Sequence, residues 1–247
     1  MRRLCAVAAT MWWLAILPAH AAAVAIVMAV DVSGSVTADS YILQRDGIAR
    51  AFADPRLIAT IAAMSGGIEV LVLEWSDPDK PAVTVDWTRI ADTGSAARFA
   101  AAVHAMTRRS HGLTAIGPAL AVAAAQFDRL PQPAARHIID ISGDGMANIG
   151  EPPRAVRDRL IKTGLTINAL AILTEEPWLE DYDRHNVIGG PGAFVVVATN
   201  FHSFADAMLE KLMQEIAGAQ SPAIARRRLP SFGTQPALLD NVTANRG

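Results

Sequence analysis

Residues 24–35 read Val-Ala-Ile-Val-Met-Ala-Val-Asp-Val-Ser-Gly-Ser: an unbroken apolar run, then at once a carboxylate and two hydroxyls. A run with no polar alternation has no face to give to water, so it fits a strand buried on both sides. Strands of that kind belong to mostly parallel sheets covered by helices. Similar apolar runs recur at 68–75 (IEVLVLEW), 137–142 (HIIDIS), 165–173 (LTINALAIL) and 193–198 (AFVVVA). Segments of helical composition lie between them, at about 38–53, 95–108, 115–128, 152–163 and 201–217. The last is the clearest, with Phe201, Phe204, Ala205, Met208, Leu209, Leu212 and Ile216 at three- and four-residue spacing on one face. A short run at 82–87 (AVTVDW) follows a Pro- and Asp-rich turn, which suits an antiparallel edge strand. The alternation predicts an α/β fold: a doubly wound, mostly parallel central sheet with helices on both faces.

Composition agrees with a folded domain of that size. Of 247 residues, 51% are apolar, and 22 Lys and Arg stand against 24 Asp and Glu, a formal charge of −2. That balance supplies no basic footprint and excludes nucleic acid as a general partner. Residues 22–217 hold 16 bases against 23 acids, whereas 218–247 carry Arg226, Arg227, Arg228 and Arg246 against Asp240 alone. The body is acidic and the end of the chain basic. Cys5 is the single cysteine, so no internal disulfide and no thiolate metal cage can form.

The first 21 residues have the order of a secretory signal: Arg2 and Arg3, an apolar stretch from Leu4 to Leu17, then Pro18 and Ala19-His20-Ala21. A retained anchor competes with this reading, because no formal charge occurs from Leu4 to Val30. Cleavage keeps 24–30 for the sheet and leaves no stable membrane span, so a periplasmic or secreted protein is expected. The expected division is therefore a signal peptide at 1–21, one domain at 22–217 and a flexible basic tail at 218–247, where Pro222, Pro230 and Pro236 interrupt any periodicity.

In a doubly wound sheet, ligands bind beyond the carboxyl ends of the strands. Asp31, Ser33 and Ser35 sit there after the first strand, and their alternate spacing can turn three oxygens toward one point. Asp144, in Ser-Gly-Asp-Gly after the strand at 137–142, brings a second carboxylate to the same edge, and Thr114 stands just before the helical segment at 115. Oxygen donors suit a hard cation. Taken singly, Thr114 reads as a helix N-cap and Asp144 as a turn residue.

Taken together, Asp31, Ser33, Ser35, Thr114 and Asp144 resemble the metal-ion-dependent adhesion site of von Willebrand factor type A domains: Asp-x-Ser-x-Ser, a distant Thr and a later Asp. The segments EWS (74–76), IDISGDGMANIG (139–150), INALAI (167–172) and VIGGPGAFV (187–195) look like those of a bacterial family of exported type A-like proteins with no assigned function. The resemblance covers about 24–217. It implies Mg²⁺, with Mn²⁺ or Ca²⁺ as alternatives, bound directly by Ser33, Ser35 and Thr114 and largely through water by Asp31 and Asp144. Three neutral hydroxyls leave much of a dication's charge uncompensated. A protein partner's Asp or Glu carboxylate would complete its shell, so a non-catalytic binding module is expected.

Two other classes compete: a metal-dependent hydrolase or phosphatase-like enzyme, and a structural domain without metal-dependent binding. A phosphatase of the haloacid dehalogenase type needs a second Asp where Ser33 stands. Neither serine lies in a Gly-x-Ser-x-Gly elbow, and the histidines lack metal-ligand spacing. Asp140 reads as a paired structural carboxylate, with Arg136 or a neighbouring segment as its partner. Glu74 reads as lining the approach to the metal, Trp75 as packing, and Asn148 either as a contact of the metal loop or as a turn residue.

Overall fold

The structure is a computed structural model describing residues 21–174 and 176–218. Of the expected signal peptide, residues 1–20 lie outside that range, as do residues 219–247 of the expected tail. Six strands form one sheet in the order β3-β2-β1-β4-β5-β6. These are β1 (Val24–Asp31), β2 (Ile68–Trp75), β3 (Ala82–Ile90), β4 (His137–Gly143), β5 (Thr166–Ile172) and β6 (Val195–Ala198). Only β3 runs antiparallel, along the edge of β2. The five apolar runs and the edge strand are thus all present, with β3 extending three residues beyond the expected 87.

Among the described residues seven α-helices cover the sheet: α1 (Ala38–Ala53), α2 (Pro55–Ala62), α3 (Thr93–His104), α4 (Ile116–Ala125), α5 (Pro153–Leu160), α6 (Leu179–Asn186) and α7 (Phe204–Ala217). α2 and α6 were not among the expected helices. Each has only eight residues, α2 opens on Asp54-Pro55, which reads as a turn, and α6 is mostly polar (LEDYDRHN). Asp54 in fact caps α2 by accepting from the Arg56 N–H at 2.8 Å, and Pro55 takes the first helical position, where its missing N–H costs nothing.

β1 supplies both cores. Val24, Ile26, Met28 and Val30 pack under α1, α2, α3 and α7, while Val27 and Ala29 pack under α4, α5 and α6 with Leu71, Leu73, Trp75, Ile139 and Ile141. Every residue of β1 is buried, as an unalternating run requires. The chain leaves β1 toward β2 on one side and takes up β4 on the other, so the direction of strand progression reverses between β1 and β4. Helices cross to opposite faces there, and in doubly wound sheets the carboxyl edge at such a reversal is where ligands bind.

Candidate metal centre

Asp31 is the last residue of β1 and shares the parity of Val27 and Ala29, toward the α4 face. Its side chain is fully buried, and its backbone carbonyl accepts from Gln44 Nε2 on α1 at 3.1 Å. Oδ1 accepts from the Ser33 N–H at 2.7 Å, closing a tight turn. Oδ2 has no hydrogen-bond partner. Burial pushes this carboxyl up to about 7, against the pull of the Ser33 hydrogen bonds and with a smaller upward push from the Asp144 charge. A buried carboxylate oxygen without a donor is a costly feature unless a cation or ordered water meets it.

The neighbouring oxygens lie close by. Ser33 Oγ and Ser35 Oγ are 3.3 Å apart, and Ser35 Oγ donates to Asp144 Oδ1 at 2.7 Å. That second bond ties the loop after β1 to the loop after β4 across 109 residues of sequence. Ser33, Thr114 and Asp144 are buried, while Ser35 is exposed and opens the cluster to solvent. A side chain at position 143 would crowd it, since a Cβ on Gly143 would stand 2.9 Å from Asp31 Oδ2.

Thr114 enters from a third segment, the loop between α3 and α4. The N-cap of α4 is Ala115, with no side-chain capping bond, so Thr114 does not spend its hydroxyl as a cap. The segment is anchored by its backbone. Gly34 N–H donates to Gly112 O at 2.7 Å, Ala115 N–H to Ser76 O at 3.0 Å, and Leu113 N–H to Asp77 Oδ1 at 2.9 Å. A Cβ on Gly112 would fall 2.0 Å from Asp77 Oδ2, so any side chain there would push Asp77 off the Leu113 N–H. Asn148 completes the anchor: its Oδ1 accepts from Thr114 N–H at 2.8 Å and its own N–H donates to Thr114 O at 3.0 Å. Asn148 thus contacts the loop that carries Thr114.

The support around these residues was less legible. Arg108 donates to the carbonyls of Val32 at 2.7 Å, Ser33 at 2.8 Å and Val36 at 2.8 Å, so one guanidinium holds the whole loop after β1. One of two adjacent arginines in a polar loop gives no such signal in sequence. Glu74, expected to line the approach to the metal, is instead fully buried, accepting from Tyr41 Oη at 2.7 Å and Arg109 N–H at 2.9 Å. Burial raises its pKa. Trp75 packs in the core, as read, with its indole Nε1 unpartnered. It lines a small cavity with Gly143, Gly145 and Asp183, the last an α6 carboxyl that burial pushes up to about 8.

Asp140 is paired, and of the two alternatives the partner lies on a neighbouring segment: Lys211 of α7, whose Nζ is 2.5 Å from Oδ1. Arg136 donates instead to the backbone carbonyl of Glu215 at 3.1 Å.

No group of three or more His, Cys, Asp or Glu side chains is arranged for a metal among the described residues. Asp31, Ser33, Ser35 and Asp144 form a cluster of another kind, two carboxylates and two hydroxyls, and the segment carrying Thr114 is joined to the loop after β1 through its backbone, by Gly34 N–H to Gly112 O. Hard oxygen donors with one orphaned carboxylate oxygen fit a hard divalent cation.

Comparison with known proteins adds the following. A family model described as "Protein of unknown function (DUF1194)" matches residues 21–220. A search of curated proteins finds no match. Among solved structures, the chain is similar to proximal thread matrix protein 1 from the mussel byssus "with zinc occupied MIDAS motif" (18% identity, TM-score 0.60, 81% of this chain and 49% of that one). It is also similar to a von Willebrand factor type A protein from Catenulispora acidiphila (21%, 0.55, 79% and 43%). A third is the pilus adhesin SpaC from Lactobacillus rhamnosus GG (14%, 0.56, 79% and 30%). The chain thus spans half or less of the length of each, and the shared fold is the von Willebrand factor A-type fold.

Proposed function

From a chain that belongs to the DUF1194 family and folds as a von Willebrand factor A-type domain, we propose an exported protein-binding module that captures a partner's Asp or Glu carboxylate through a divalent cation. Asp31, Ser33, Ser35, Thr114 and Asp144 would hold the cation, with Mg²⁺ first and Mn²⁺ or Ca²⁺ as alternatives. The cation supplies positive charge and one open coordination position. The chain's own residues do the rest: Asn148, Arg108 and Gln44 fix the three loops, and Gly143 keeps the space beside Asp31 clear.

One observation carries this reading. The carboxylate and hydroxyl oxygens of two separate loops meet at hydrogen-bond distance at the switch point of the sheet, beside a buried Asp31 oxygen with no donor. Ser33 and Ser35 bond to each other and to Asp144, and no histidine ring joins that network among the described residues. That supports binding rather than nucleophilic catalysis, which needs an activating base. The likeness to a byssus matrix protein and a pilus adhesin supports an adhesion-type role outside the cytoplasm.

Calorimetry of Mg²⁺ and Mn²⁺ with wild type and Asp31→Ala tests the proposal. Wild type should bind and the variant should not, and a chelator-sensitive partner captured by wild type should be lost with it. Equal affinity in the two proteins would refute the site. Metal binding with no chelator-sensitive partner would refute the function while leaving the site.

A further inference from the structure

Five large apolar side chains are prominently exposed among the described residues: Ile42, Leu113, Met146, Ile149 and Trp178. Four of them stand in the loops that build or brace the candidate metal centre. Leu113 precedes Thr114, Met146 follows Asp144 by two positions, and Ile149 follows Asn148. Trp178, 55% exposed, lies in the loop after β5, which is joined to the Met146 segment by the Met146 N–H donating to Glu176 at 3.2 Å. Apolar side chains scattered singly on a surface need no explanation. Four gathered around one polar centre mark an interaction surface.

A groove of about 290 Å³ opens beside this rim, between the loop after β4 and α6, lined by Asn148, Ile149, Pro152, Pro153, Arg154 and Tyr182 among others. Asn148 both lines the groove and anchors Thr114, so the groove borders the segment that carries Thr114. Two charged residues line it. Glu151 is neutralised by a two-armed ion pair with Arg159. Arg154 is exposed and makes no hydrogen bond or ion pair among the described residues, which leaves the groove with one uncompensated positive charge.

We propose that this face docks an acidic protein segment with apolar flanks. One carboxylate of the segment completes the cation held by Asp31, Ser33, Ser35, Thr114 and Asp144. An apolar side chain lies in the groove against Ile149, Pro152, Pro153 and Tyr182, and a second carboxylate pairs with Arg154. The inference rests on the metal-centred reading above and adds to it the sequence chemistry of the partner. The apolar contacts supply affinity that a single metal–carboxylate bond lacks, and the arginine sets direction along the groove.

The test is to pan a random peptide library of about twelve residues, displayed on phage, against the full exported protein in Mg²⁺, eluting at low pH so that recovery does not itself require the metal, and to remeasure each enriched peptide in EDTA. Enriched peptides should carry an Asp or Glu with apolar neighbours and a second acid a few residues away. Synthetic copies should bind Ile149→Ser and Arg154→Ala about ten-fold more weakly than wild type, by fluorescence anisotropy. Mg²⁺ affinity measured in parallel on each variant distinguishes an altered centre from an altered groove. Acidic peptides with no apolar preference, bound equally by wild type and both variants, would overturn the inference and leave the metal reading intact. Peptides lost in Ile149→Ser but indifferent to EDTA would overturn the metal reading and leave the groove. An absence of enriched peptides would overturn the docking surface itself.

Discussion

Lys211 is fully buried on the inner face of α7, and replacing it with methionine should be among the most damaging single substitutions in the domain. Its Nζ lies 2.5 Å from Asp140 Oδ1 on β4 and 2.8 Å from Glu215 Oε1 one turn along α7. Asn168 of β5 donates to the same Glu215 oxygen at 2.8 Å, so the cluster pins α7 to two central strands. Lys211→Met keeps the aliphatic stem but strands two carboxylates that are both about 1% exposed. Removing one partner of a buried ion pair costs roughly 3–5 kcal/mol. For a domain of this size each kcal/mol moves the midpoint by about 2–4 °C, so Tm should fall by roughly 6–20 °C. The loss should also depend on pH. Glu215 is pushed up to about 7 by burial first and by the Asp140 charge second. A carboxyl raised in the folded state contributes stability that is full below its unfolded value near 4.5 and is lost as pH rises through about 7. Without the lysine this fall should steepen, so the gap between variant and wild type should be wider at pH 8 than at pH 5. Thermal melts by circular dichroism across that range provide the assay, and Lys211→Met/Asp140→Asn/Glu215→Gln should recover part of the loss. A variant within about 1 kcal/mol of wild type at pH 8, with a parallel pH profile, would refute the reasoning.

Further outcomes follow from the same geometry. Asn148→Ala removes the acceptor for Thr114 N–H and should weaken Mg²⁺ binding roughly 10–100-fold by calorimetry with a near-wild-type Tm, whereas an unchanged affinity would show that Thr114 needs no such anchor. Asp183→Asn should flatten part of the decline in stability between about pH 4 and pH 8, because burial raises Asp183 to about 8 and its stabilising share is lost as pH climbs through that value; identical profiles would count against it. Gly112→Ala should displace Asp77 from Leu113 and lower metal affinity together with stability, read by the same two assays. Intact-mass measurement of the exported protein should show loss of about the first 21 residues, and a mass retaining Met1 would favour an anchor.

The strand order was not written in any single segment, yet the apolar runs left few choices. Five unalternating stretches separated by helical segments require a mostly parallel sheet with both faces covered, because nothing else hides them from water. The Asp-Val-Ser-Gly-Ser stretch after β1 and Asp144 after β4 could be placed at one edge for the same reason, since all parallel strands point their carboxyl ends the same way. Short elements escaped. α2 and α6 have too few residues to establish a helical period, and their stability comes from docking Leu57 and Ile61, or Leu179, into cores assembled elsewhere.

Sequence alone therefore determined the fold class and the sheet edge at which Asp31, Ser33, Ser35 and Asp144 stand, because burial periodicity and residue type are local properties, whereas the five-residue set that includes Thr114 came from the resemblance to type A domains. Tertiary structure decided which side chains hold those residues in place and how charge is neutralised below them. Arg108 reaches Val32 from 76 positions away, Asn148 meets Thr114 across 34, and Lys211 finds Asp140 on a strand far earlier in the chain. A single sequence carries no measure of such distances, since a hydrogen bond or an ion pair depends on ångströms and desolvation that exist only once the sheet has closed between its helices.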